Sequence, residues 1–151
     1  MVRKEGDKKA IEEIGLWASL CHFSALLGVV WWLPFLDVWI PFGQIVAPLG
    51  VWLVKRKKSP YIDLAGRLAL SFQTSITAIC LATAFMAPPV VAFPGVWGLI
   101  FFDLFCTIRA GVAYSEGRLY RYPLPALPVF RTKALWDEVS LKHSRGNLFT
   151  P

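Results

Sequence analysis

Histidine, methionine and cysteine are scarce in this chain: two, two and three residues among 151. Two histidines, one of them (His143) close to the C-terminus, make no His-rich metal motif. P-loop, dinucleotide fingerprint and hydrolase triad are all missing as well. The cysteines, Cys21, Cys80 and Cys106, all fall inside apolar segments. An odd number so placed is not a disulfide framework, and small core- or lipid-facing residues are the expected role. Charged residues make up only 17% of the chain, against about 25% in ordinary soluble domains. The N-terminus does not read as a signal peptide, because it is charged through Glu13 and the apolar run after it is too long and lacks an Ala-x-Ala site. The expectation is a chain with no catalytic residue, no metal site and no enzymatic activity.

What the chain has in abundance is apolar surface. Its composition is 56% hydrophobic, with seven Trp and eleven Phe, more than a soluble domain of this length can bury. An integral membrane protein follows. The net charge of +6 invites a nucleic-acid reading, yet the cations flank apolar runs instead of lining one face, so no nucleic-acid partner is expected.

Residues 1–13 are polar and basic. Ile14 to Trp32 is a first span of roughly 28 Å at 1.5 Å per residue, close to the ~30 Å hydrocarbon core. Gly15, Ala18, His22, Ala25 and Gly28 recur on it at helical spacing. Ile40 to Val54 is a second apolar run, short and interrupted by Pro41, Gly43, Pro48 and Gly50, which reads as a kinked span or a re-entrant hairpin. Lys55, Arg56, Lys57 and Lys58 follow. Ser59 and Pro60 then supply a cap and a first-turn proline for a third helix, with Asp63 and Arg67 four apart and able to pair. That span runs from about Leu64 to Met86. A proline-rich loop, Ala87 to Pro94, leads to a fourth span from Val96, or as early as Val90, to Val112, with Arg109 near its exit. The tail holds Tyr120 and Tyr122, suited to the headgroup zone, and Thr132 opens a short amphipathic helix through Lys142.

The sixteen cations divide as four before residue 10, five between 55 and 67, and seven from 109 onward, with none in the two intervening loops. The positive-inside rule then predicts an all-α bundle of four transmembrane helices, the second short and kinked, with both termini cytoplasmic. A membrane domain over 14–112 lies between the basic N-terminus and a Pro-rich tail over 113–151. A bacterial inner membrane, or one of thylakoid type, is the expected location.

Within the spans, an intramembrane acid is a functional hypothesis by default. Asp103 is that residue. His22, Gln73 and Asp103 each lie roughly 12–14 Å inside their spans, and are expected to form one buried polar cluster with Asp103 bonded to His22 or Gln73. Gly28, Ser71, Thr74, Ala78, Thr107 and Gly111 are expected to form the faces on which helices pack. The weightiest reading of the cluster is packing specificity. A proton path, or a pigment held by His22, are the sharper alternatives. Haem is disfavoured because the spans offer one histidine. No cofactor is otherwise expected beyond bound lipid.

Four stretches carry a family resemblance: LCHFSALLG (Leu20–Gly28), APLGVWLVKRKKSPYID (Ala47–Asp63), GRLALSFQTS (Gly66–Ser75) and AGVAYSEGRLYRYPL (Ala110–Leu124). Together they resemble a bacterial family of small four-helix membrane proteins of unknown function, itself similar to the twenty-kilodalton Tic component of the chloroplast inner-envelope import machinery. The resemblance spans Ile14 to Leu124. Ser71 stands where that family commonly has Asn, Gly66 follows Ala65 where a His-Gly pair is usual, and the segment after Pro128 has no counterpart. The resemblance implies fold and topology, no catalytic residue, and for the plastid relatives a part in a protein-conducting translocon. Beside that translocon role stands the reading favoured here, an accessory or structural subunit packed against other integral membrane subunits of a photosynthetic or respiratory complex. Its partners are membrane lipids and those subunits, with no small-molecule substrate.

Overall fold

The computed structural model describes residues 5–29, 42–123 and 132–144. The expected turn at Leu33–Asp37, the tryptophans Trp31 and Trp32, and Ile40 and Pro41 lie outside them. Five helices are described: α1 (Glu5–Val29), α2 (Gly43–Lys55), α3 (Pro60–Met86), α4 (Pro89–Ser115) and α5 (Lys133–Ser144).

The start of α3 follows from its sequence. Ser59 is extended, its hydroxyl accepts from the Tyr61 N–H at 3.2 Å, and Pro60 occupies the first turn, where no N–H partner is needed. Asp63 sits in that first turn and binds Arg67 at 2.9 Å, as its spacing suggests. The end of α4 is equally explicit. Gly117 takes the left-handed conformation, its N–H donates to the Tyr114 carbonyl, and the Arg118 N–H donates to that of Ala113. This pair of bonds closes the helix and reverses the chain.

Three elements refine the sequence-based expectation, in which residues 1–13 are disordered or a short interfacial helix and the second run is short and carries Pro48. The helix of the first span begins at Glu5, so it includes charged residues ahead of the apolar run. The expected proline-rich loop is reduced to a short bend. Pro88 is the cap of α4, Pro89 its first residue, and Pro94 is accommodated inside the helix, where a proline removes a single backbone bond. Finally, α2 covers 13 residues with Pro48 inside, about 20 Å of helix.

Among the described residues, three helices are long and apolar enough to cross a membrane, in α1, α3 and α4; α2 is a shorter apolar helix. It nevertheless returns the chain to the end of the bundle where α1 starts. Lys58, just beyond α2, binds Glu13 of α1 at 2.7 Å. Gly28 near the other end of α1 abuts the backbone of Gly43 and Gln44. The start of α3, the C-terminus of α2 and the C-terminus of α4 therefore share one end with the Glu13 region of α1, since Gly15 approaches the Ser115 carbonyl.

Two hydrophobic clusters fill the bundle. One joins Ala18 and Cys21 of α1, Trp52 of α2, Tyr61, Ile62, Leu64 and Ala65 of α3 and Tyr114 of α4. The other joins Phe72, Ile76 and Cys80 of α3 to Cys106 and Ala110 of α4 and to Tyr122 beyond it. Helix α5 seals the first cluster through Val139, which is fully buried, with Leu135 and Trp136 against it. The outer half of the α3–α4 hairpin is open: Phe85, Met86, Val90 and Phe93 are all exposed.

Candidate functional site

The interior of the bundle carries two polar groups of side chains. Gln73 of α3 faces Asp103 and Thr107 of α4. Its Nε2 donates to Asp103 Oδ1 at 3.0 Å and to Thr107 Oγ1 at 3.1 Å, while the Thr107 hydroxyl donates to the same Asp103 oxygen at 3.2 Å. The spacing of Asp103 and Thr107 puts them on one helical face, so one amide reaches both. Helix α2 joins this group from the other side: Gln44 Nε2 donates to Thr77 Oγ1 at 2.6 Å, and the Thr77 hydroxyl donates to the Gln73 carbonyl at 2.7 Å. Three helices are thus stitched together at one level by side chains that are all buried.

His22 belongs to the second group. It is completely buried, and its Nδ1 lies 2.8 Å from the hydroxyl of Tyr122. Its ring stacks on Tyr114 at 4.7 Å between centroids. Tyr122 stacks in turn on Phe72 at 3.9 Å. The hydroxyl of Tyr61 donates to the carbonyls of Tyr114 and Arg118, and that of Tyr114 reaches the Tyr120 carbonyl. Three tyrosines therefore close the bundle where the chain reverses after Gly117. Burial holds the Tyr122 hydroxyl well above the ordinary tyrosine range, so it stays neutral.

Asp103 thus bonds Gln73 and Thr107, and His22 bonds Tyr122. No bond joins His22 to Asp103 among the described residues. Tyr122 is buried against the protein because the turn at Gly117 directs the following residues back over the helix ends. His22 is completely buried, with Tyr114 stacked on its ring.

The expected packing residues separate. Gly28, Ser71, Thr107 and Gly111 are buried, whereas Thr74 is half-buried and Ala78 is exposed. The inward stripe of α3 runs instead through Gln73, Ile76, Thr77 and Cys80, one residue out of phase with the expected one. Gly111 is needed where it stands: a Cβ would come within 2.6 Å of the Phe23 ring.

The basic turn spreads over tryptophan faces. Lys55 Nζ lies 3.9 Å from the Trp17 ring centroid and Arg56 lies 4.9 Å from that of Trp52. Lys57 is exposed. The bond to Glu13 holds the Lys58 ammonium above its ordinary pKa. Trp52 also donates to Asp63 at 2.7 Å, tying α2 to the Asp63–Arg67 pair. Arg109 is exposed and lies 5.8 Å from the Phe105 ring. The bonds missed by sequence reasoning, Gln44–Thr77, Trp52–Asp63 and His22–Tyr122, join residues whose helices had to be rotated correctly before the partners could meet.

These features define a class, a small helical integral membrane protein whose buried polar side chains largely bond across its own helices, with His22 Nε2, Ser71 Oγ and Gln73 Oε1 left without a partner among the described residues. Among the described residues no cluster of His, Cys, Asp and Glu could hold a metal ion. The model of the MamF/MmsF family, the magnetosome magnetite crystal formation protein family, matches residues 13–130, most of the chain, and the chain belongs to that family. No curated protein and no solved structure matches. The likeness to the chloroplast import component draws no support from these comparisons.

Proposed function

We propose that this chain is a non-enzymatic structural subunit of a membrane protein assembly, located in the bacterial membrane that surrounds a forming magnetite crystal. Family membership supplies the setting. The observation that carries the structural role is the fate of the buried polar side chains. Gln44, Gln73, Thr77, Asp103 and Thr107 bond one another across α2, α3 and α4, which fixes the packing of helices. The outer surface is apolar by contrast: α4 is mostly unburied, and Phe93, Phe101 and Phe105 are exposed along it.

In this reading all four apolar helices cross the bilayer, with α2 thinning it locally, and both termini face the cytoplasm. The proximity of Lys58 to Glu13 supports that arrangement, because it brings the basic turn and the basic N-terminal helix to one end. Other integral membrane proteins of the assembly are the partners, covering part of the α3–α4 hairpin.

The test is extraction of the tagged protein from its native membrane in mild detergent, followed by native electrophoresis and mass spectrometry. Co-migration at fixed stoichiometry with other membrane proteins of the crystal-bearing compartment is expected. A solitary band from that compartment would overturn the subunit role, and a protein absent from it would overturn the setting.

A further inference from the structure

A cleft of about 250 Å³ opens between the N-terminal half of α1 and the start of α3, apart from both polar groups described above. Its volume lies below the roughly 300–1,000 Å³ of sites for whole drug-sized ligands, so it suits a small head with a tail left outside. Ala10, Ile14, Trp17 and Ile62 line it with apolar surface and Glu13, Lys58 and Ser59 with polar groups, of which Ser59 is buried and the other two are half exposed. It sits at the cationic end of the bundle, where the first apolar run begins.

The polar groups carry both signs. Glu13 receives two bonds, from Lys58 Nζ at 2.7 Å and from Trp17 Nε1 at 3.2 Å, and both fall on Oε1. Among the described residues its Oε2 accepts none, and the side chain is half exposed. One carboxylate oxygen is left for a hydrogen-bonding cation. On the other side, the Lys58 ammonium has three donors and the Glu13 bond uses one. Ser59 accepts from the Tyr61 N–H, which leaves its own hydroxyl hydrogen to donate. The positive end of the 27-residue α3 lies behind it. These donors suit a phosphate.

The geometry points to a headgroup site for a zwitterionic aminophospholipid, with phosphate at Lys58 and Ser59, ammonium at Glu13 Oε2, and the start of an acyl chain along Ile14 and Ile62. An anionic lipid would answer the cations alone and leave the Glu13 carboxylate facing its phosphate. A choline head has no N–H to offer Oε2, and the Trp17 face that would attract it carries Lys55. The inference rests on the cleft and its charges and does not depend on the subunit role.

The test uses the full-length protein in nanodiscs or mild detergent, titrated with short-chain phosphatidylethanolamine, phosphatidylglycerol, phosphatidylcholine and inorganic phosphate, with binding read by native mass spectrometry. Saturable binding of the ethanolamine lipid, tighter than the other three, is expected. Glu13→Gln should weaken it about two- to fivefold, the range of exposed ion pairs, without weakening the glycerol lipid. Ala10→Leu, which narrows the cleft without altering a charge, should weaken it too. Equal binding of the glycerol lipid would overturn the zwitterionic assignment in favour of a cationic patch. Competition by inorganic phosphate alone at equal affinity would reduce the site to a phosphate site. Indifference to both variants would remove the cleft from lipid binding altogether.

Discussion

Gly28 and Gly50 offer a contrast that tests how firmly α2 is docked. Both are helical glycines in apolar runs, and a sequence comparison alone would treat them alike. In the structure a Cβ at Gly28 would collide with the backbone nitrogen and Cα of Gln44 and with the carbonyl carbon of Gly43, whereas at Gly50 it would meet nothing within 4 Å. Backbone atoms cannot swing aside like a side-chain tip. Gly28→Ala therefore has to push α2 away, at an overpacking cost of about 1–3 kcal/mol. The displacement also strains the Gln44–Thr77 bond, at 2.6 Å between α2 and α3, adding about 0.6–2 kcal/mol. Gly50→Ala carries no such cost and gains about 0.5–1 kcal/mol from the stiffer unfolded chain. Thermal unfolding in mild detergent, followed by circular dichroism and tryptophan fluorescence, should show Gly28→Ala melting on the order of 10 °C below the parent and Gly50→Ala at or above it. Equal melting of the Gly28 variant and the parent would refute the close contact between α1 and α2. A comparable loss at Gly50 would show that glycine content, not helix proximity, sets the effect.

The Gln73–Asp103 pair should show coupling: in a double-mutant cycle of Gln73→Leu and Asp103→Leu, denaturation in detergent is expected to give about 0.6–2 kcal/mol between the sites, and additivity would dismiss the bond. Tyr122→Phe removes the hydroxyl beside His22, whose Nε2 is already unpartnered and buried; a loss of about 1–3 kcal/mol is expected in the same denaturation assay, with an unchanged midpoint as the contrary result. Topology can be read with single cysteines, because the three native ones are buried and give little background. Lys57→Cys and Glu116→Cys should react with an impermeant thiol reagent from one side of sealed vesicles and Ala87→Cys from the other, and labelling of Lys57→Cys and Glu116→Cys from opposite sides would exclude the shared end.

Local signals in this chain were readable because each depends on a few consecutive residues. Ser59–Pro60 announces a helix start, Asp63 and Arg67 are a turn apart, and the charge pattern gathers cations at one end. Gln73 meets Asp103 because each is a strongly polar residue on an otherwise apolar helix, with few alternatives. Rotation between helices was not readable. Ser71, Thr74 and Ala78 look like a packing stripe, but small residues in an apolar helix face lipid or protein equally well. Only the positions of Gln44 and Asp103 on the neighbouring helices turn Gln73 and Thr77 inward and leave Ala78 outside. The burial of Tyr122 was unreadable for a related reason. Nothing local to Tyr122 says that it is buried; its position depends on Gly117 reversing the chain and on His22, a hundred residues earlier, presenting a partner.

The distribution of polarity then bears on where this protein does its work. A soluble bundle distinguishes inside from outside by apolar burial, but here both are apolar, so burial alone cannot select one helix arrangement. Asp103, Gln73, Gln44 and His22 make the selection, since each misrotation would strand a polar group in hydrocarbon at a cost of several kcal/mol. Gln44, Gln73 and Asp103 are engaged in bonds between helices and His22 in a bond to Tyr122. Interaction with other molecules falls to the remaining surfaces, and these differ sharply. The cationic end is polar, sealed by α5 and three tyrosines, and carries the headgroup-sized cleft. The hairpin of α3 and α4 is apolar and uncovered over its outer half. A protein that positions itself by lipid headgroups at one end and presents an apolar hairpin at the other is suited to organising neighbours within a membrane, and substitutions along Phe93, Phe101 and Phe105 should disturb assembly while leaving the Gln73–Asp103 coupling intact.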